Sequence, residues 1–240
     1  MKISLFKIIF ATAWGILPSL VWLFYFLKKD PKPEPKKTIA LCFFYGMLAT
    51  LPAIYFEGVF SFYLNTYLKE IASVLSLIAV FFIFAFIEEF FKFLSAKISI
   101  SRKKEFDEPI DPMIYLITSA MGFALVENLM YLYSGFFLEK NYGVEKIIII
   151  AFERLLGPTF LHASASGFLG YFWAQSILKL KKEFLYFGIL LASFLHMVFN
   201  FNIEVLGSEW FRLKFVILFI FLVSFPLSLA FKDLKNKEKS

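Results

Sequence analysis

The stretch "IASVLSLIAVFFIFAFIEEFFKFLSAK", residues 71–97, decides the fold class. Residues 71–87 carry no charge, and about 20 consecutive, predominantly apolar residues are enough to cross a bilayer as a helix. The same stretch contains Glu88, Glu89 and Lys92. Ionisable side chains inside a span cost about 2.5–3.5 kcal/mol each on an insertion scale. The stretch therefore predicts a transmembrane helix that carries a polar site within the membrane.

The rest of the chain has the same apolar character. Its 240 residues are 60% hydrophobic with a mean hydropathy of +0.72, and 35 are phenylalanine, which is too apolar for an ordinary soluble domain. Since lipid offers no partners to backbone N–H and C=O groups, apolar runs of this length must be helices. We predict an all-α polytopic integral membrane protein in which residues 1–240 form one membrane-embedded domain. Seven spans are predicted at residues 5–27, 38–60, 71–96, 112–137, 147–178, 184–203 and 215–231.

Two features refine this map of spans. The fifth segment is too long for one straight crossing, and Gly157-Pro158 is expected to break it. Sixteen Lys and Arg residues lie in the odd-numbered loops and the C-terminal segment, against seven in the N-terminal segment and the even-numbered loops. Because basic loops stay in the cytoplasm, we predict an external N-terminus and a cytoplasmic C-terminus.

The net charge of +6 follows this membrane pattern of basic loops and does not indicate nucleic-acid binding.

Glu88, Glu89 and Lys92 form the most unusual polar group. On a helix, Lys92 reaches Glu88 at i,i+4 and Glu89 at i,i+3. One explanation is an ion pair that makes a single buried acid tolerable. The second acid exceeds that need and suits general acid/base chemistry. We therefore favour a functional site over a purely structural ion pair.

Further polar residues lie inside the other spans. Glu127 and Asn128 follow Gly122 on the fourth span. A helix–helix hydrogen bond is a sufficient explanation for Asn128. For Glu127, a packing role and a functional role are equally consistent with the sequence. Arg154 lies near a span end, where its long side chain can reach the interface, and it is open between this placement and a role at a site. Glu57 also lies at a span end and is interpreted as interfacial.

The two histidines of the chain, His162 and His196, are both placed mid-span. A lone intramembrane histidine is often a packing residue, but two of them favour a site. Asn200 lies one turn after His196 on the same helix face. Helix lengths, however, place Glu88 and Glu127 more than ~15 Å apart in depth if both helices are straight within a ~30 Å core.

Two catalytic schemes and one rival use these residues. A carboxylate can activate water for attack on a peptide carbonyl while imidazole and amide groups stabilise the oxyanion. Alternatively, Glu and His can ligate a divalent metal such as zinc. No H-E-x-x-H motif is present, so we expect no metal and no other cofactor. The rival function is a proton- or ion-coupled transporter, which also uses buried Glu, Lys and His.

Four ordered motifs carry a resemblance to a known family. They are E-E-x-x-K at Glu88–Lys92, F-x-x-x-E at Phe123–Glu127, the span histidine His162, and H-x-x-x-N at His196–Asn200. "PSLVWLFYFLKKDPKPEPKK", residues 18–37, adds a Pro-Glu-Pro loop after the first helix. These features resemble the PrsW-type intramembrane proteases, a branch of the CAAX-protease and bacteriocin-processing superfamily. The second motif ends in Glu where CAAX-type relatives have His, which argues against processing of prenylated proteins.

The resemblance implies an intramembrane endopeptidase of a bacterial cytoplasmic membrane. Its substrate would be a membrane-bound protein, and some members of the branch make the first cut in anti-sigma factors. Glu88 or Glu89, together with Glu127, would polarise water. His162 and His196 would assist, and Asn200 would help bind the oxyanion. Lys92 and Arg154 would support these catalytic groups.

Overall fold

The computed structural model describes residues 5–67, 74–100, 106–138, 143–205 and 208–238, which form eight helices and contain no strand. Several predicted basic loop residues lie outside these ranges: Lys2, Lys69, Arg102, Lys103, Lys104, Lys140 and Lys239. The helices are α1 (Leu5–Leu27), α2 (Lys36–Tyr67), α3 (Val74–Ser99), α4 (Asp111–Leu138), α5 (Val144–Leu156), α6 (Pro158–Leu178), α7 (Glu183–Val205) and α8 (Glu209–Glu238). The predicted all-α fold is confirmed.

Within the described ranges, seven segments are long and apolar enough to cross a membrane. Each overlaps one predicted span, and α5 with α6 makes up the fifth. Gly157 separates these two helices with φ −98° and ψ −95°, outside the helical region, and Pro158 starts α6. Proline is favoured at a helix start because its missing N–H would have no intrahelical partner there. The predicted break at Gly157-Pro158 is therefore confirmed.

Helix α4 is the central element of the bundle. In its spanning window 78% of the residues are buried, against 17% for α3 and 28% for α1, which face lipid over much of their surface. It packs against α1, α2, α3 and α6. The hydrophobic core accordingly includes the α4 residues Met113, Leu116, Ala120 and Ala124, all fully buried.

Two glycines bring α2 and α4 into backbone contact. A Cβ at Gly46 would overlap the carbonyl oxygen of Ser119, and a Cβ at Gly122 would overlap that of Phe43. Small residues permit this close approach because van der Waals packing, rather than the hydrophobic effect, holds helices together in lipid. The contact fixes the spacing of α2 and α4 at this level of the bundle.

Three chain segments lie at one end of the bundle, which we call the basic end (residues 28–35, 106–110 and 179–182), and polar contacts join the first two. Lys32 forms a 3.0 Å ion pair with Glu108, and Tyr115 Oη donates to Glu34 Oε2 at 2.5 Å. Asp30 is largely buried here, and this burial raises the pKa of its carboxyl to about 6. These contacts tie the segment between α1 and α2 to the start of α4.

Candidate active site

Four helices bring the predicted site residues to one place inside the bundle. Helix α3 supplies Glu88, Glu89 and Lys92, while α4, α6 and α7 supply the remaining acid and the two histidines. Glu89 and Lys92 have no exposed surface, and Glu88 is 8% exposed. The cluster is thus a polar core enclosed by helices.

Lys92 is the centre of this core. Its Nζ lies 3.1 Å from Glu88 Oε2, 2.8 Å from Glu89 Oε1 and 2.7 Å from His162 Nδ1. An ammonium group has three protons, so these three acceptors use all of them. The same Nζ lies 4.5 Å from the ring centroid of Phe123, a cation–π distance. Lys92 therefore joins both carboxylates of α3 to the histidine of α6.

His162 connects α3 to α4. With Nδ1 accepting from Lys92, its Nε2 carries the proton and donates to Glu127 Oε2 at 2.6 Å. The expected depth separation of Glu88 and Glu127 is therefore wrong. Helix α3 continues to Ser99, so Glu88 lies about 16 Å from that helix end and Glu127 about 24 Å from the start of α4, at 1.5 Å per residue. The imidazole of His162 lies between Glu88 and Glu127 and bridges the remaining difference in their depth.

The two adjacent acids have different surroundings. Glu89 Oε1 accepts from Lys92 and from His196 Nδ1 at 3.0 Å, and its Oε2 accepts from Ser166 at 2.8 Å. Among the described residues Glu88 accepts a hydrogen bond from Lys92 alone, and its side chain borders a cavity of about 150 Å³. Protein donors thus satisfy both oxygens of Glu89, whereas Glu88 faces open space.

Arg154 points into the bundle. Its NH2 group lies 3.4 Å from Glu127 Oε2, its Nε donates to Asn128 Oδ1, and its guanidinium lies 5.2 Å from the Tyr131 ring centroid. The side chain is only 12% exposed, which favours the supporting role at the site over the alternative that it reaches the interface. Asn128 also donates to Thr159, which confirms the expected helix–helix hydrogen bond. Arg154 therefore balances the charge of Glu127.

Asn200 is less well integrated than the other predicted residues. It lies one turn beyond His196 on α7 and is half-buried, and within the described part of the chain it makes no hydrogen bond to the cluster. Two further residues belong to the region: Ser166, which sequence reasoning passed over, and Glu57, which it interpreted as interfacial. Ser166 binds Glu89, and Glu57 borders the cavity beside Glu88. The signal for Glu57 was a carboxylate within an apolar run; for Ser166 there was none beyond a stretch of small residues.

One group of side chains has the donors for a metal ion. Ligand atoms of Glu88, His162 and His196 lie within 4.8 Å of one another, and no other group of three or more potential ligands was found among the described residues. His196 Nδ1 lies 3.0 Å from Glu89 Oε1 and its Nε2 lies 3.7 Å from Glu88 Oε2, so in the neutral imidazole that donates to Glu89, Nε2 is an acceptor. Two histidines with one carboxylate are a ligand set of catalytic zinc, and a carboxylate behind a ligating histidine is its usual support.

Comparison with known proteins settles the family. The family model described as "PrsW family intramembrane metalloprotease" matches residues 34–227. The chain belongs to the PrsW family. The matched range contains all four motif-bearing helices of the polar core.

Relatives of the PrsW family agree with this assignment. A protein named "Protease PrsW" from Oceanobacillus iheyensis is 31% identical over 196 residues, which are 81% of this chain and 83% of that protein. The protein of the same name from Bacillus subtilis is 30% identical over 200 residues, 82% of this chain and 83% of its own length. No solved structure matches the chain. The protein is therefore a peptidase of the membrane, and the transporter alternative is not favoured.

Proposed function

We propose that Glu88 orients and deprotonates the water that attacks a peptide bond of the substrate. The observation that carries this proposal is the position of Glu88: it borders the cavity, and its Oε2 lies 3.7 Å from Nε2 of His196, an acceptor in the neutral ring. A water between these two acceptors could donate a hydrogen bond to each of them. Glu88 then takes the proton at its carboxylate, and His196 holds the second hydrogen.

In our proposal the other residues of the polar core position Glu88 and His196 or balance their charge. Glu89 holds His196 in the tautomer that leaves Nε2 unprotonated, and Lys92 holds Glu88. Glu127 fixes His162 through Nε2 and is itself balanced by Arg154. Asn200 would turn toward the site only when substrate is bound, where its amide N–H would donate to the developing oxyanion.

The donor set also fits a divalent cation. Glu88, His162 and His196 would hold it, on the condition that Lys92 releases the Nδ1 of His162. Such an ion would supply a Lewis acid that lowers the pKa of bound water. The sequence led us to expect no metal, and this stays a prediction until metal content is measured. Glu89 would support His196 in either case.

The substrate, orientation and relationships belong to the same proposal. The substrate is a membrane-bound protein, with an anti-sigma factor as the first candidate by family resemblance. The whole chain, residues 1–240, forms one protease domain in a bacterial cytoplasmic membrane. Its basic end faces the cytoplasm, which makes the N-terminus external and the C-terminus cytoplasmic. The CAAX-protease and bacteriocin-processing superfamily is the wider group in which we place it.

The decisive experiment combines cleavage with metal analysis. A tagged single-span anti-sigma factor is co-expressed with the wild-type chain or with His196→Ala, and its processing is followed by immunoblot. We expect cleavage by the wild type only. Purified wild type is then analysed for zinc and other divalent metals before and after chelation. About one ion per chain, lost in His196→Ala, supports the metal-bound site; full activity in metal-free protein supports the carboxylate alone. Cleavage by His196→Ala would refute the proposed site.

A further inference from the structure

The cavity beside Glu88 is a groove between α2 and α4. Its α2 wall consists of Thr50, Ala53, Ile54 and Glu57, which share one helix face at spacings of three and four residues. Its α4 wall is also one helix face and consists of the following residues: Phe123, Glu127 and Met130. The groove therefore lies between two regular helix surfaces, with a polar group of the proposed active site at its base.

This groove opens toward lipid. Ile54 is 43% exposed and Met130 is 47% exposed, so the rim on both helices reaches the outer surface of the bundle. The helices touch at Gly46 and Gly122, and every lining residue lies beyond these glycines, away from the basic end. A segment of another membrane protein can thus approach Glu88 sideways, between α2 and α4.

Glu57 is the one acid of the groove that forms no ion pair within the described residues. Its Oε1 is buried and has no hydrogen-bond partner. Glu88 pairs with Lys92, and Glu127 pairs with Arg154. A carboxylate facing a low-dielectric cavity is costly to ionise alone, and a cation that pairs with it removes that cost. The unused acceptor points to a positively charged group that arrives with a ligand.

We propose that Glu57 is a specificity-determining residue that binds a Lys or Arg side chain of the substrate's membrane-spanning segment. The inference rests on the proposed function, because it takes the groove as the substrate's route to Glu88. A basic side chain in a span needs an anionic partner for the same reason that Glu57 needs a cationic one. Their charge-assisted hydrogen bond would place the neighbouring peptide bond of the substrate beside Glu88.

Binding can be measured without cleavage. The probes are synthetic leucine-rich single-span peptides that carry a dansyl group and no tryptophan. One series carries a single lysine, moved residue by residue through one helical turn, and the matched series carries norleucine there. Wild-type protein is reconstituted in phosphatidylcholine vesicles, and energy transfer from its four tryptophans to dansyl reports binding. Mass spectrometry verifies that the peptides remain intact.

We expect wild type to bind the best lysine peptide about ten-fold more tightly than its norleucine match, as for a charged hydrogen bond of ~1.4 kcal/mol. Glu57→Gln should lose this preference and leave norleucine binding unchanged. The matched control Glu153→Gln, on an exposed residue of α5, should keep it. As an independent check, Glu57→Lys should prefer a peptide carrying glutamate.

Three outcomes would overturn the inference. They are equal binding of both peptides by wild type, an equal loss for both peptides in Glu57→Gln, and no charge preference in Glu57→Lys. An equal loss would mean that Glu57 accepts from backbone N–H groups or only shapes the groove. The two proposals fail separately. A protein that cleaves without charge preference refutes only the role of Glu57, and one that shows the preference but never cleaves refutes only the proposed protease site.

Discussion

Replacing each of the two adjacent acids by glutamine should have opposite effects on stability and on catalysis. Glu89 has no exposed surface and balances Lys92, which is equally buried. In Glu89→Gln the amide can keep the hydrogen bonds, but Lys92 loses its buried counter-ion, so we expect the free energy of unfolding to fall by about 3 kcal/mol. The Glu88 side chain is 10% exposed and makes one hydrogen bond to Lys92 among the described residues. In Glu88→Gln the loss should be about 1 kcal/mol or less.

Catalysis should show the reverse order. Glu88→Gln removes the group that takes the proton from water, so we expect kcat to fall 10²- to 10⁴-fold in a protein of nearly normal stability, the effect typical of losing a general base. Glu89→Gln keeps an acceptor for His196, and its residual activity per folded molecule should be higher. The two variants separate the base from the residue that positions His196.

The assay pairs unfolding with cleavage. Each variant is purified in detergent, titrated with SDS to obtain its free energy of unfolding, and tested on a single-span substrate at equal folded concentration. Glu153→Gln is the matched control, because it makes the same substitution on an exposed side chain of α5. A stable, inactive Glu89→Gln together with an active Glu88→Gln would show that the two roles are reversed.

Two further predictions concern packing and pH. Gly122→Val would drive a side chain into the carbonyl oxygen of Phe43. We therefore expect a lower melting temperature and a free energy of unfolding that falls by at least ~1–3 kcal/mol. An unchanged melting curve would contradict the α2–α4 contact. Burial raises the pKa of Asp30 to about 6 in the folded state. The folded protein therefore binds a proton at a higher pH than the unfolded chain does. The free energy of unfolding should rise as pH falls from 7 toward 5. Asp30→Asn, which keeps the acceptor for the Lys32 N–H, should remove that rise, as measured by unfolding at both pH values.

Much of the fold could be predicted from local sequence. Apolar run length marks a spanning helix, and a Gly-Pro pair inside a long run marks a break, as at Gly157-Pro158. The i,i+3 and i,i+4 contacts of Lys92 with Glu89 and Glu88 also follow from helix geometry. All of these features depend on neighbours within one helix.

Contacts between helices were not predictable in the same way. Lys92 forms a hydrogen bond with His162, which lies 70 residues further along the chain. Ser166 of α6 donates a hydrogen bond to Glu89 of α3. Hydrophobic periodicity gives the buried face of a helix but not its neighbour, because lipid and helix surfaces are equally apolar. Arg154 illustrates this limit: its position near a span end left the interface and the site both open, and its partner Glu127 lies on another helix.

The same geometry explains why two adjacent carboxylates occur in an apolar helix. Consecutive residues on a helix point about 100° apart, so they cannot share one environment. Glu89 points to the centre of the bundle, where Lys92, His196 and Ser166 replace water as donors. Glu88 points to the groove, where one of its oxygens has no donor among the residues that the structure describes. A carboxylate with all its acceptors satisfied is a poor base, so the fixed environment of the first acid leaves proton transfer to the second.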